Sequence, residues 1–292
     1  MLKEYLKSRA VLVEEMMNKL VPEKGVQPPV IFEAMRYSLF AGGKRLRPIL
    51  LMASAEAVGA DGKQFLHVAS GLEMIHTYSL IHDDLPAMDD DDYRRGKLTN
   101  HKVYGEGMAV LAGDALLTEA FQSILEQPGV EAGTLLAVAQ EITAAIGAYG
   151  MVGGQALDLI SEGRMIEPDT LRFMHQAKTG ALFRSAVRSG AILAGANPSQ
   201  LAALTRYSEQ FGLAFQITDD ILDVTGTQEA IGKPVGSDEK NQKATYVSLY
   251  SLEQARDMAR EAIEAALSAL IIFGPEADVL RGLVKQLIVR DH

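Results

Sequence analysis

The sequence predicts an all-α protein built as one domain. Three observations carry that reading. Ala, Leu, Glu and Met recur throughout, whereas Val, Ile and Thr at period two are scarce. Apolar residues return at helical spacing in long segments punctuated by Pro and Gly. No low-complexity linker, short repeat or composition break divides the 292 residues, a length within reach of one large helical domain.

The elements follow in order. Leu2, Leu6, Val13, Met16, Met17 and Leu20 form the apolar face of an opening helix that ends near Pro22. Pro28 and Pro29 start a second, through Phe40, stopped by Gly42 and Gly43. A third spans about 48–58, before Gly59, and residues 63–85 make a long, strongly apolar fourth. Residues 106–126, 131–149 and 169–194 read as helices, and Asn197-Pro198 opens another that reaches about 224. Gly226, Gly232, Pro234 and Gly236 make 226–244 a loop, and two helices, 252–271 and 275–289, close the chain. Helices apolar over most of their circumference, 63–85 and 201–224, are expected at the centre. So much apolar helix surface also fits a homodimer.

Composition narrows the function. The net charge of −10 argues against a broad basic face for nucleic acid. The absence of Cys excludes disulfides, thiolate metal sites and a Cys nucleophile. No uninterrupted apolar run approaches the ~18 residues of a membrane helix, and six charges among the first fifteen residues fit no secretory signal. The expectation is a cytoplasmic protein with no membrane insertion.

The chemistry shows in two carboxylate clusters. Asp83-Asp84-Leu85-Pro86-Ala87-Met88-Asp89-Asp90-Asp91-Asp92 and Asp219-Asp220-Ile221-Leu222-Asp223 each close an apolar helix. Carboxylates repel one another there, and the helix C-terminus adds partial negative charge, so a cation should compensate. Asp219 and Asp223 lie ~40° apart on one face. Pro86 frees Asp89 from helical geometry, so that it can turn back toward Asp83. Convergent carboxylates suit Mg²⁺, which completes its shell with water and phosphate oxygens. A single acidic run is usually solvated surface, and Asp90 to Asp92 fit that description; two clusters on apolar helices do not.

Cations stand apart from these. Gly43-Lys44-Arg45-Leu46-Arg47 is a glycine-led turn before a helix, Arg94-Arg95 follows the first cluster, and Lys178, Lys233 and Lys243 lie near other helix ends. Arg suits bidentate phosphate contacts and Lys acts as a point charge. Metal sites plus separate basic sites imply a diphosphate ligand, and the apolar helices imply that the rest of it is greasy. Neither a Walker loop nor a GxGxxG fingerprint is present.

These motifs, with Gly153-Gly154-Gln155 and Asp158, Lys178-Thr179, Phe215-Gln216 and Gly232-Lys233-Pro234, resemble in order the trans-isoprenyl diphosphate synthases over about 32–246. The four residues between Asp84 and Asp89 are similar to bacterial farnesyl diphosphate synthases and plant-type geranylgeranyl synthases, nearest to the bacterial farnesyl enzymes. The resemblance implies antiparallel helices around a deep cavity, a homodimer, and head-to-tail condensation. Isopentenyl diphosphate attacks ionised dimethylallyl and then geranyl diphosphate, and the released diphosphate takes the proton.

By the same resemblance Asp83, Asp89 and Asp219 bind Mg²⁺ (three ions, replaceable by Mn²⁺), with Asp84 and Asp223 in support. Arg94, Lys178, Lys233 and Lys243 hold the allylic diphosphate. Gly43, Lys44, Arg47, His76 and Arg95 hold isopentenyl diphosphate, and Thr179 and Gln216 face the allylic cation. Plainer readings stand beside some of these. His76 on an apolar helix equally fits a core residue, Gln155 and Asp158 an interhelical hydrogen bond, and Thr179 a helix cap. His82 carries no role, and Arg290-Asp291-His292 is either a frayed end or a closing tail.

Tyr78, five residues before Asp83 and so ~7.5 Å along a helix, is placed to floor a growing chain beside the small Ser79. In the resembled family an aromatic residue here accompanies a C15 product; core packing also suits it. A terpene cyclase would need no second aspartate motif, and a non-catalytic partner subunit would be expected to lose one.

Overall fold

A computed structural model describes residues 2–164, 166–226 and 243–289. Lys233, most of the 226–244 loop and Arg290, Asp291 and His292 lie outside them. About three quarters of the described residues are helical, as the composition predicts. The chain divides into two compact units: residues up to 52 with 62–139, and 53–61 with those from 140 onward.

The first unit holds α1 (Leu2–Leu20), α2 (Pro29–Leu39), the start of α3 (Leu46–Val58), α4 (Leu66–Asp83), α5 (Asn100–Tyr104) and α6 (Glu106–Leu125). Helix α4 is its centre, with buried residues around most of its circumference, as its uniformly apolar sequence requires. It packs on α6, and the contacts fix an antiparallel register. Ser123 Oγ donates to His67 O, a Cβ on Gly71 would touch Ala120 and Ile124, and His82 meets Val110.

Among the described residues the only strands, β1 (Tyr93–Arg94) and β2 (Lys97–Leu98), form an antiparallel hairpin. Its turn residues, Arg95 at φ 54° and Gly96 at φ 75°, are both left-handed, the two-residue turn that matches strand twist. The sequence reading gave no strand here, because a four-residue ladder leaves no alternation to detect.

Helix α6 is apolar on average, but no unbroken apolar run spans it. By length and composition Glu106–Leu125 and the span Ala132–Ser161 are apolar enough to cross a membrane, with mean hydropathies of 1.3 and 1.5. Many Ala residues raise the mean although Asp114 and Glu119 interrupt any continuous run in α6.

The second unit holds α7 (Ala132–Ile146) from residue 140 on, α8 (Met151–Ser161), α9 (Pro168–His175), a π turn (Gln176–Gly180), α10 (Ala181–Leu193), α11 (Pro198–Thr225), α12 (Tyr246–Leu249), α13 (Leu252–Ala269) and α14 (Asp278–Val289). Asn197 caps α11 through a reciprocal box with Gln200. Helix α11 packs against α10 and α13, with Phe183 between Phe211 and Phe215. Tyr207, buried, donates to Leu280 O of α14. A second apolar cluster joins Leu171, Ile217, Ile221, Tyr246 and Ala255.

Candidate active site

The first aspartate cluster is a folded turn. Helix α4 ends at Asp83, and the Asp89 amide donates to Asp83 O at 2.9 Å. Pro86 thus ends the helix and Asp89 returns, as the spacing implied. Asp90 closes the turn at φ 49°, its amide bonded to Leu85 O.

The acidity is partly neutralised from within. Arg94, on β1, lies 2.5 Å from Asp84 Oδ1 and 3.4 Å from Asp91 Oδ2. Lys102 pairs with Asp92 at 2.6 Å. Burial pushes the Asp84 carboxyl up to about 7, with Arg94 pulling the other way and Asp83 adding to the rise. Among the described residues no three Asp, Glu or His side chains converge as a ready-made metal site. The donors present, all carboxylate oxygens, are nonetheless the chemistry a hard divalent cation takes, one or two at a time, alongside phosphate oxygens.

A basic locus forms in the same unit. Arg47 and Arg95 act electrostatically on His76, and Gly43 sits so close that a Cβ would be 2.8 Å from the Arg95 guanidinium carbon. Arg95 also donates to Gly42 O. Burial pulls Arg47 down to about 10, with Glu73 opposing and Arg95 reinforcing. Burial and then the Arg47 and Arg95 charges hold His76 well below its usual value, so it is a neutral ring. Lys44 is exposed at the rim. Gly43 thus abuts Arg95, and the charges of Arg47 and Arg95 act on His76. One groove is lined by Asp84, Arg94 and Arg95 with Tyr37, Thr77 and Thr99.

Arg45, which the family set leaves out, is engaged in ion pairs of its own, although its charge still acts on His76. Its φ of 50° turns it inward. It is 1% exposed, 3.0 Å from Glu73 and 3.1 Å from Glu14, and also donates to Leu39 O. It ties α1 to α4, and Glu73 was not foreseen as its partner.

The second unit carries the other groups. Lys178 and Thr179 lie in the π turn, a distortion often found at functional sites. Lys178 Nζ is 2.6 Å from Asp158 Oδ2 on α8, so Asp158 does bridge two elements. A Cβ on Gly154 would be 2.2 Å from the Lys178 nitrogen; only glycine allows α8 this close. On α11, Gln216 Nε2 donates to Asp220 Oδ1 at 2.9 Å, and Asp220 Oδ2 accepts from the Tyr246 amide at 2.8 Å. Asp219 is partly exposed, whereas Asp223 is buried. Lys243, just before α12, is partly buried.

Tyr78 is 7% exposed on α4, and Ser79 bonds back to His76 O.

The model of the polyprenyl synthetase family matches residues 28–270. The chain belongs to the polyprenyl synthetase family. A dimethylallyltranstransferase of Fischerella ambigua is 50% identical over the whole chain and 84% of its own length. A geranylgeranyl diphosphate synthase of Cyanophora paradoxa is 46% identical over 99% of this chain and 96% of its own. A farnesyl diphosphate synthase of Geobacillus stearothermophilus is 45% identical over 99% and 98%. The crystal structure of a geranylgeranyl pyrophosphate synthetase from Pyrococcus horikoshii superposes with a TM-score of 0.90 at 32% identity, covering 98% of each chain. This polyprenyl synthetase is accordingly an all-α trans-prenyltransferase with the isoprenoid synthase fold, and its substrates are isoprenyl diphosphates.

Proposed function

We propose that the chain makes farnesyl diphosphate, adding isopentenyl diphosphate first to dimethylallyl and then to geranyl diphosphate. The observation that carries the C15 length is the buried Tyr78 ring, five residues along α4 from Asp83. A chain growing away from the diphosphate along α4 meets that ring after roughly 7.5 Å. Geranylgeranyl diphosphate is the second reading. The 46% and 45% relatives named above differ in product, and Ser79 beside Tyr78 offers no bulk.

In this reading Asp83, Asp89 and Asp219, supported by Asp84 and Asp223, hold Mg²⁺. The metal supplies charge stabilisation for the departing diphosphate. Arg94, Lys178 and Lys243, with Lys233, hold the allylic diphosphate, and Arg94 leaves Asp84 to do so. Gly43, Lys44, Arg47, His76 and Arg95 bind isopentenyl diphosphate. Neutral His76 donates or accepts one hydrogen bond there without adding a charge. Gln216, its amide nitrogen bonded to Asp220, turns its carbonyl oxygen toward the allylic cation with Thr179. The apolar surroundings keep water from that cation. A homodimer, a single functional domain and a cytoplasmic location complete the reading.

The test is the product spectrum from Mg²⁺, dimethylallyl diphosphate and labelled isopentenyl diphosphate, for wild type and Tyr78→Ala. C15 that lengthens in the variant supports both reaction and floor. A C20 wild-type product keeps the reaction and moves the floor; no condensation by folded protein refutes the assignment of these residues.

A further inference from the structure

His82 immediately precedes the first aspartate, and none of the roles above uses it. It stands one turn from Tyr78 on α4, and the two rings meet edge to face, with centroids 5.6 Å apart and planes at 82°. The far side of the imidazole is fixed to α6. His82 Nε2 lies 3.0 Å from Val110 O. Gly113, one turn further along α6, leaves the space the ring occupies: a Cβ there would be 2.1 Å from Nε2 and 2.5 Å from Cδ2. Such an overlap cannot be relieved without moving the ring, because Gly113 is buried and its helix is packed on α4.

The imidazole is therefore held between a backbone carbonyl and a glycine notch on one side and the Tyr78 ring on the other. An aromatic side chain left to itself has rotamers to choose from; one with a fixed ring against its edge has fewer. We infer that His82 and Gly113 are positioning residues for product length, holding the Tyr78 ring in the place where it stops chain growth. The inference rests on the reading of Tyr78 as the floor. It assigns to α6 a share in specificity that the position of Tyr78 alone does not reveal. Enlarging residue 113 or truncating residue 82 releases the floor without removing it.

The experiment compares the C20:C15 product ratio, total isopentenyl turnover and melting temperature of wild type, Tyr78→Ala, His82→Ala, Gly113→Ala and the His82→Ala/Gly113→Ala double variant. The ratio is expected to rise about fivefold in each of the two positioning variants, the factor that corresponds to losing one edge-to-face ring contact. In the double variant Gly113→Ala should add nothing further, since there is no imidazole left to displace. A purely structural role would lower the melting temperature and turnover while leaving the ratio unchanged, and that result overturns the inference. So does a full additive shift in the double variant. If Gly113→Ala does not fold, the ratio in His82→Ala decides alone. If Tyr78→Ala lengthens the product and His82→Ala does not, the floor stands and its support by His82 falls. If Tyr78→Ala leaves the ratio unchanged, the floor reading and this inference fall together.

Discussion

Gln216 and Asp220 face each other across one turn of α11, amide nitrogen to carboxylate oxygen, at 2.9 Å. The same carboxylate accepts from the Tyr246 amide, so one buried side chain both orients Gln216 and anchors the start of α12. Asp220→Ala removes both bonds and leaves the Tyr246 N–H buried without its acceptor. The expected stability loss is about 1–3 kcal/mol, measured by urea unfolding. On the proposed role of Gln216 at the allylic cation, turnover should fall more than the KM for either substrate rises, because a freely rotating Gln216 would affect the cation more than the ground state. Unchanged turnover in a folded variant would show that the orientation of Gln216 is immaterial.

Glu73 and Arg45 form a buried pair whose removal should be felt in the fold. Glu73 is 1% exposed and lies 3.0 Å from Arg45; Glu14 contributes from a more exposed position. Glu73→Ala leaves the guanidinium with one buried counter-charge fewer, which typically costs about 3–5 kcal/mol. The effect should appear in the unfolding midpoint. A stability within experimental error of wild type would mean that Glu14 and Leu39 O suffice.

These two sites show what the sequence makes legible. The return of Asp89 to Asp83 could be read because Pro86 must end the helix. The grouping of Gly43, Arg47, His76 and Arg95 came through the motif. The motif set Arg45 apart from Lys44 and Arg47, but not its inward turn, which depends on one left-handed backbone angle and on a partner 28 residues away. Helix α8 was missed because Gly147, Gly150, Gly153 and Gly154 depress helix propensity, although a Cβ at Gly150, Gly153 or Gly154 would meet backbone. The π turn was absorbed into a continuous helix, because one extra residue barely disturbs an apolar pattern. Chain direction, close approach and helix defects are set by tertiary contacts that a one-dimensional period does not carry.

Acid should destabilise the protein through two histidines, against an opposite contribution from Asp84, whose raised pKa favours the folded state as pH falls below about 7. Burial, then the Arg47 and Arg95 charges, holds His76 well below 6.5. Burial pulls His175 down to about 4, with Asp158 opposing and Lys178 adding. Each ring binds a proton less readily when folded than when unfolded. Its contribution is therefore whole above about pH 6.5 and is lost as pH falls. For His175 the loss runs down to about 4. The slope is at most about 1.4 kcal/mol per pH unit for each ring. Urea unfolding near pH 7 and near pH 5 measures it. His175→Phe, which keeps a ring against Tyr246, should flatten the dependence; a slope as steep as wild type would place the titration elsewhere.

Gly154 is where α8 touches the π turn, and the contact leaves no room for a methyl group. A Cβ at 2.2 Å from the Lys178 nitrogen and 2.7 Å from its Cα meets backbone, which cannot swing aside as a side chain would. Gly154→Ala must separate the two elements. Asp158 follows Gly154 by one helical turn, so the separation also draws its carboxylate away from Lys178 Nζ, now at 2.6 Å. Overpacking of this kind costs about 1–3 kcal/mol. A displacement near 1 Å at a substrate-positioning group can cost about a hundredfold in rate. The larger effect is thus expected in turnover with geranyl diphosphate rather than in the melting temperature. Asp158→Asn removes the ion pair while leaving the backbone contact alone, and it should lose less activity than Gly154→Ala. Equal losses would mean that the pair is all the glycine protects; wild-type turnover in Gly154→Ala would mean that the approach of α8 to the π turn has no bearing on where Lys178 stands.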